Sequence, residues 1–377
     1  MLVQRTVQIA IEDDPDLRKT LDAFTDVCNR ISPTAWNSGK PLQALALHKS
    51  VYSSVKGTIS SQLTCTAIRI TAGAYVSARK NGHKATHPFR WKSPRALFLI
   101  GKRTRDANLK PDGTMSIWTV AGRKKLRYSV PDYFRSTLTN AVEIDSMIVV
   151  PHENHLIGHV AVTLDIPDAD GIIPVGVDLN ETNAIVAVDA DGHELFITGL
   201  SRRILNSRTR KTVSRLQKKL AQKKADGKNT RSVVRVIKRL QRKRSRRTKD
   251  FCHCASKKLV EWAPENCVLV FEDLQFKQGK KGSRALNRRL SVWPRGMILA
   301  FATQKVAGKG IVEKVDPRYT SQMCSRCGLL GNRSRHAFSC PHCGFLIHSD
   351  TNAAINIRNR FTALRDSGVL SATPEAS

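Results

Sequence analysis

Acidic residues are in short supply. The 377-residue chain has 31 Asp and Glu against 63 Lys and Arg, a formal net charge of +32. That imbalance does not suit an enzyme of small metabolites. It points to a polyanionic partner, nucleic acid before all others, over the bland reading of a basic solubility device or a ribosome-like structural protein. Long apolar runs are missing too. None approaches the roughly 20 residues of a membrane helix, so no membrane partner is expected. The opening MLVQRTVQIAIEDD has neither the basic stretch nor the long apolar core of a secretory signal. The expected setting is a reducing one, where Cys28, Cys65, Cys252, Cys254 and Cys267, scattered along the chain, read as free thiols. Cys252-His253-Cys254 looks like a metal fragment but has no second pair at hand, so it reads as part of a helix. Apolar residues make up 41% of the chain, enough for two or three domains with real cores.

What is present falls into blocks. Residues 3–11 alternate like a strand. Asp14-Pro15 then opens a helix with Leu17, Leu21, Phe24 and Cys28 on one face. Lys49 to about Ala78 reads as a further helical stretch on Val51, Val55, Ile59, Leu63, Ile68 and Ala72. Arg79 to Arg95 reads as a basic loop able to touch a phosphate backbone. Residues 96–166 are strand-rich, with Asp-Gly, Gly and Pro breaks between the runs. From Pro174 the pattern changes: PVGVDLN is a buried strand and AIVAVDADGHELFITG a hairpin turning at Asp191-Gly192. Three adjacent strands before a helical stretch are how an RNase H-like fold begins. Residues 201–250 carry 21 Lys and Arg against two acids. A helical apolar stripe persists there (Leu205, Val213, Leu216, Leu220, then Val233, Val234, Ile237, Leu240), and the polar bridge Ala225 to Thr230 divides it. A merely solvated helix would pair Glu with Lys. This nearly single-signed hairpin reads as a nucleic-acid surface. ENCVLVFEDL is another buried strand, Trp293 to Ala307 a helix, GIVEKVDP a strand and SDTNAAINIRNRF a helix.

Cys324, Cys327, Cys340 and Cys343 form C-x2-C-x12-C-x2-C, with Gly328 and Gly344 behind the pairs. Four thiolates suit a tetrahedral structural zinc and leave no open coordination position. His336, His342 and His348 nearby read as surface residues. Three acids stand at the edges of apolar elements: Asp178 ends one strand, Glu272 ends another, and Asp350 opens the last helix. Singly, each is an ordinary cap, turn residue or ion-pair partner, and Asp350 could be an N-cap. Asp189 and Asp273 are further candidates. Together, acids on neighbouring strands and a facing helix can converge on two Mg2+ ions, which suit hard oxygen ligands and phosphodiester hydrolysis. The residues read as a metal-dependent nuclease.

GVDLN (Gly176 to Asn180), FEDL (Phe271 to Leu274), YTSQMCSRCG (Tyr319 to Gly328), CPHCG (Cys340 to Gly344) and DTNAAINI (Asp350 to Ile357), in this order, resemble the transposon-encoded TnpB family, relatives of type V CRISPR effector nucleases. The resemblance is strong over residues 174–358 and only an outline over the first 170. It implies a RuvC-type, RNase H-like nuclease domain at 171–320 that contains the basic hairpin 201–250. A zinc ribbon at 321–347, a last RuvC segment at 348–362 and a disordered tail at 363–377 would follow. Ahead of them it implies a wedge β-barrel from 1–12 and 96–170 with a helical recognition lobe at 13–95. By motif the catalytic, Mg2+-binding acids are Asp178, Glu272 and Asp350. A guide RNA from the transposon end, a double-stranded DNA target beside a short flanking motif, and a prokaryotic cytoplasm at the nucleoid complete the expectation. Nothing in the sequence chooses between monomer and dimer. The family often has Asp-Arg before the last aspartate; this chain has His348 and Ser349. The competing readings are an RNA-guided repressor that does not cut and a guide-free transposase or resolvase.

Overall fold

A computed structural model describes residues 1–37, 43–82, 87–100, 106–274 and 293–368, which fall into two compact units, Met1–Ile166 and Pro167–Ser377. In the first, strand β1 (Leu2–Ile11) pairs antiparallel with β7 (Leu156–Asp165) along its whole length, from Leu2 opposite Asp165 to Ile11 opposite Leu156. With β2 (Ala96–Leu99), β3 (Ala107–Leu109), β4 (Thr114–Thr119), β5 (Gly122–Ser129) and β6 (Ala141–Pro151) they form one sheet, ordered β2-β6-β7-β1-β5-β4-β3. The sheet nearly closes into a barrel. Beside its two edge strands the Asp106 N–H donates to the Leu99 carbonyl (3.3 Å), and the Asp106 carboxylate accepts the Leu99 N–H (2.9 Å).

Helix α1 (Pro15–Asn37) starts where its sequence signals, with Pro15 first and Asp14 accepting the Leu17 N–H at 2.8 Å. Its stripe of Leu17, Leu21, Phe24 and Cys28 is buried against Val7, Ile9 and Ile11 in a common core. The stretch expected as one helix is two, α2 (Ala44–Val55) and α3 (Ser61–Lys80). Gly57 at φ +84° breaks the first, and the Ser60 hydroxyl caps the second at the Leu63 N–H. The apolar period survives the break, since Val51, Val55, Ile59, Leu63, Ile68 and Ala72 are all buried. Two short elements were not expected: β3, and α4 (Asp132–Thr139), which Pro131 introduces. Of the basic loop 79–95, residues 83–86 lie outside the described residues.

The second unit is built on a five-stranded sheet ordered β10-β9-β8-β11-β12. Strands β8 (Ile173–Asp178), β9 (Asn183–Val188) and β10 (Glu194–Thr198) are antiparallel. Strands β11 (Cys267–Glu272) and β12 (Gly310–Val315) run parallel to β8. Parallel neighbours need a long crossover between them. The basic segment provides it as α5 (Leu200–Ala225) and α6 (Arg231–Trp262), broken at the expected bridge. The foot of α6 and helix α7 (Arg295–Val306) cover one face through Cys252, Ala255, Leu259, Ile298 and Ala302. Helix α8 (Ser349–Asp366) covers the other, setting Ile357 and Phe361 on Val268 and Val270. Burial on both faces explains why β8 and β11 read as unbroken apolar runs. Contact between α8 and β8 is close: a Cβ on Gly176 would clash with the Ala354 carbonyl oxygen. Helix α8 also continues through Asp366, so helix occupies residues 363–366, which the tail assignment had included; residues 369–377 lie outside the described residues.

Candidate active site

Strands β8 and β11 lie side by side with Val177 opposite Phe271, so Asp178 and Glu272 share the C-terminal edge of the sheet. Asp350 sits in the first turn of α8. Asp178 and Asp350 are 8% and 2% exposed. Burial, then the Glu272 carboxylate, pushes the Asp178 carboxyl up to about 7, against the hydrogen bond from Asn180; Asp350 adds to the rise. Burial raises Glu272 too, opposed by the Thr320 hydroxyl and by Arg360, Arg333 and Arg295. Asp178 thus senses both other acids, though the oxygens of the three do not all close to within 4.8 Å of one another. This buried hard-oxygen set fits a divalent cation, whose charge would offset the repulsion that raises Asp178.

Two asparagines brace the acids. Asn180 donates from Nδ2 to Asp178 (3.2 Å), while its Oδ1 accepts the N–H groups of Thr182 and Asn183 in a tight Asx turn. That turn aims the Asn183 amide at Asp350 Oδ2 (2.9 Å). Asp350 is not the N-cap. His348 holds that place, its Nδ1 accepting the Asp350 N–H (3.2 Å), and the Asp350 carboxylate is left to Asn183 and to Arg333. Arg333 reaches Asp350 Oδ1 at 2.9 Å. The guanidinium that the family pattern places next to the last aspartate thus arrives from another element. His336 stacks on His348, and with Asp350 they form a second group of ligand atoms within 4.8 Å of one another, so His348 is more than a surface residue.

The other two candidate acids have partners of their own. Asp189 follows β9, toward the start of β8, and binds His193 (2.9 Å). Asp273 lies near Lys314 (3.6 Å).

The four cysteines form one cluster, with Sγ separations of 3.7 Å for Cys324–Cys343 and 3.5 Å for Cys327–Cys340. Sulfurs tetrahedrally placed about 2.3 Å from an ion stand about 3.8 Å apart, so the cluster is compatible with structural zinc. Its two knuckles repeat one backbone pattern. Cys324 and Cys340 donate to the carbonyls of Leu329 and Phe345, and Gly328 and Gly344, at φ +76° and +69°, donate back to Cys324 and Cys340. A three-stranded sheet, β13 (Asn332–Ser334), β14 (Ala337–Ser339) and β15 (Leu346–His348), completes this piece around buried Phe338. Arg333 lies on β13.

The piece is tied to α8 at several points. Asn352 donates to the Met323 carbonyl (2.7 Å) and accepts the Ser325 N–H (3.0 Å). Asn356 donates to the carbonyls of Thr320 (2.8 Å) and Met323 (2.7 Å). The Thr320 hydroxyl donates to Glu272. The first knuckle thereby reaches Glu272 through Thr320, and β13 reaches Asp350 through Arg333. Asn180, Thr320, Asn352 and Asn356 all lie within the quoted motifs, where the acids and cysteines drew the reading. Arg333 carried no sequence signal.

A family model described as "Cas12f1-like, TNB domain" matches residues 296–357, and the OrfB_IS605 model, "Probable transposase", matches 159–281. A TnpB-like protein of Aquifex aeolicus is 36% identical over 96 residues, 24% of this chain and 31% of its own length. The CRISPR-associated endodeoxyribonuclease Cas12f1 of Sulfoacidibacillus thermotolerans is 53% identical over 49 residues, 12% of each chain. The chain thus spans less than a third of either curated relative. In fold it is similar to the protein of a Cas12f1-sgRNA-target DNA complex, with a TM-score of 0.53 at 14% identity over 91% of this chain and 81% of that one. The two family models take in Asp178, Glu272, Asp350 and all four cysteines, and together with the similarity to TnpB-like proteins they support a member of the TnpB family.

Proposed function

We propose that the protein is an RNA-guided DNA endonuclease in which Asp178, Glu272 and Asp350 are the catalytic acids. The observation that carries this reading is the meeting of buried Asp178 with Glu272 and Asp350 at the C-terminal edge of two parallel strands. The sheet order β10-β9-β8-β11-β12, three antiparallel strands followed by two parallel ones, supports an RNase H-like, RuvC-type domain. The barrel of the first unit supports a wedge, with α1, α2 and α3 as its recognition lobe. Divalent metal ions held by the three acids would supply an activated water and neutralise charge on the leaving oxygen. The chain's own residues prepare that site. Asn180 and Asn183 fix two of the carboxylates, Thr320 orients Glu272, and Arg333 offsets the charge of Asp350. The surface of α5 and α6 would grip nucleic-acid backbones without reading bases, leaving the sequence to guide pairing.

Sequencing the RNA that copurifies with the protein, expressed together with its flanking DNA, tests the reading. One dominant structured RNA ending in bases from beyond the gene is expected. Heterogeneous cellular RNA alone would favour the guide-free nuclease.

Arg333→Ala should lower single-turnover cleavage by about 10- to 100-fold, the usual cost of removing a group that orients a metal ligand. Arg333→Lys should recover a good part of it. The Arg333 side chain is 38% exposed, so solvent screens the pair and the loss should appear in cleavage before it appears in melting temperature. Equal rates in wild type and Arg333→Ala would remove Arg333 from the site.

A further inference from the structure

Beside the candidate acids, at the root of the basic hairpin, lies a cleft of about 350 Å3. Arg202, Arg203, Arg210 and Arg244 line it, with Glu181 and Trp293, so four cations face one acid. Two hydrogen bonds link the cleft to the acids: Trp293 Nε1–H donates to the Asn180 carbonyl (3.1 Å), and Asn180 holds Asp178. Its inner wall is unsatisfied. Arg202 is only 6% exposed and lies over the Phe251 ring at 5.3 Å, and its Nε has no hydrogen-bond partner among the described residues. Asn206, another lining residue, has its Oδ1 buried without a partner among the described residues. A buried donor left unpaired is costly, and more so when charged. An orphaned guanidinium N–H within a wall of arginines calls for an anionic acceptor.

The shape points to a polymer. Arg210 and Arg244 are shared with a second cleft, which Thr209, Val213, Ser214, Gln217 and Gln241 carry along the hairpin. A track of this kind suits a chain of phosphates better than a single small anion.

We propose that this cleft is the subsite for the DNA strand presented to Asp178, with Arg202 Nε–H donating to a phosphodiester oxygen of that strand. The assignment of the strand to DNA rests on the nuclease reading above; the phosphate site itself does not.

The test uses the full chain, freed of nucleic acid by high salt and kept in EDTA so that cleavage plays no part. Anisotropy of a labelled 15-nucleotide single-stranded DNA, and of RNA of the same sequence, is followed over a salt series. Arg202→Met keeps the packing on Phe251 and removes the donor. It should weaken DNA binding about tenfold, the worth of one charge-assisted hydrogen bond. It should lower the salt slope by about one and leave the melting temperature unchanged or higher. Arg135→Gln, an exposed cation on α4 of the first unit and outside the hairpin, should change binding by about twofold at most. Folded Arg202→Met that binds DNA like wild type, or that loses RNA binding alone, overturns the proposal. Should Arg202→Met melt below the assay temperature, Arg244→Gln on the facing wall carries the test: a weaker, less salt-dependent DNA complex supports the site and an unchanged one overturns it.

Discussion

Asp178→Asn should lose Mg2+-dependent cleavage by roughly 10^3-fold or more, as removal of a catalytic group does, and should stabilise the metal-free protein. The second half follows from the raised pKa. With its carboxyl pushed up to about 7 from an ordinary value near 3.8, the folded protein keeps a proton that the unfolded chain releases between those values. Stability is therefore full below about pH 4 and falls as the pH rises through 7. The gap corresponds to at most about 4 kcal/mol. The amide variant never carries that charge. In EDTA at pH 8 its melting temperature should exceed the parent's by on the order of 5 °C, and the difference should close as the pH falls toward 4. Added Mg2+ should raise the parent and leave the variant nearly unmoved. A variant less stable than the parent at pH 8 would mean that Asp178 is held for structure.

Cys340→Ser carries the other large effect. The cysteine-bearing piece has little core of its own, with Cys324, Phe338 and Cys340 buried and Phe345 and Ile347 packed against them. A piece this small depends on its metal for folding. Its loss would release Arg333 from Asp350 and loosen the hold of Met323, Ser325 and Thr320 on Asn352 and Asn356. The expected results are zinc content falling from one per chain to none, cleavage lower by about 100-fold, and faster amide exchange in the first turn of α8 while β8 and β11 stay protected. Normal zinc and full cleavage in Cys340→Ser would end the idea that this piece positions the last acid.

Much of this architecture is legible in residue order because it rests on local rules. Unbroken apolar runs marked β8 and β11, Asp14-Pro15 marked the start of α1, and paired cysteines followed by glycines marked the knuckles. The break between α2 and α3 was missed because Val55, Ile59 and Leu63 keep the helical period across it, and the left-handed Gly57 leaves no trace in that period. Strand β3 is three residues long, too short for a pattern. At the site, the acids stood out because charge at the end of an apolar strand is costly. Their support did not. Arg333 is seventeen residues from Asp350 and sits in a short polar strand, so only the fold of the knuckles brings them together. Arg202 looked like one more cation in a basic run until burial set it apart.

The most direct test of the central claim is cleavage of a supercoiled plasmid that carries the sequence complementary to the free end of the copurifying RNA. It is assayed in Mg2+ with protein used as purified and with protein first treated with RNase. The account predicts a cut at that sequence by the untreated protein and none after the RNA is destroyed. Cutting that survives the treatment, or an intact plasmid in the presence of intact RNA and Mg2+, would contradict it.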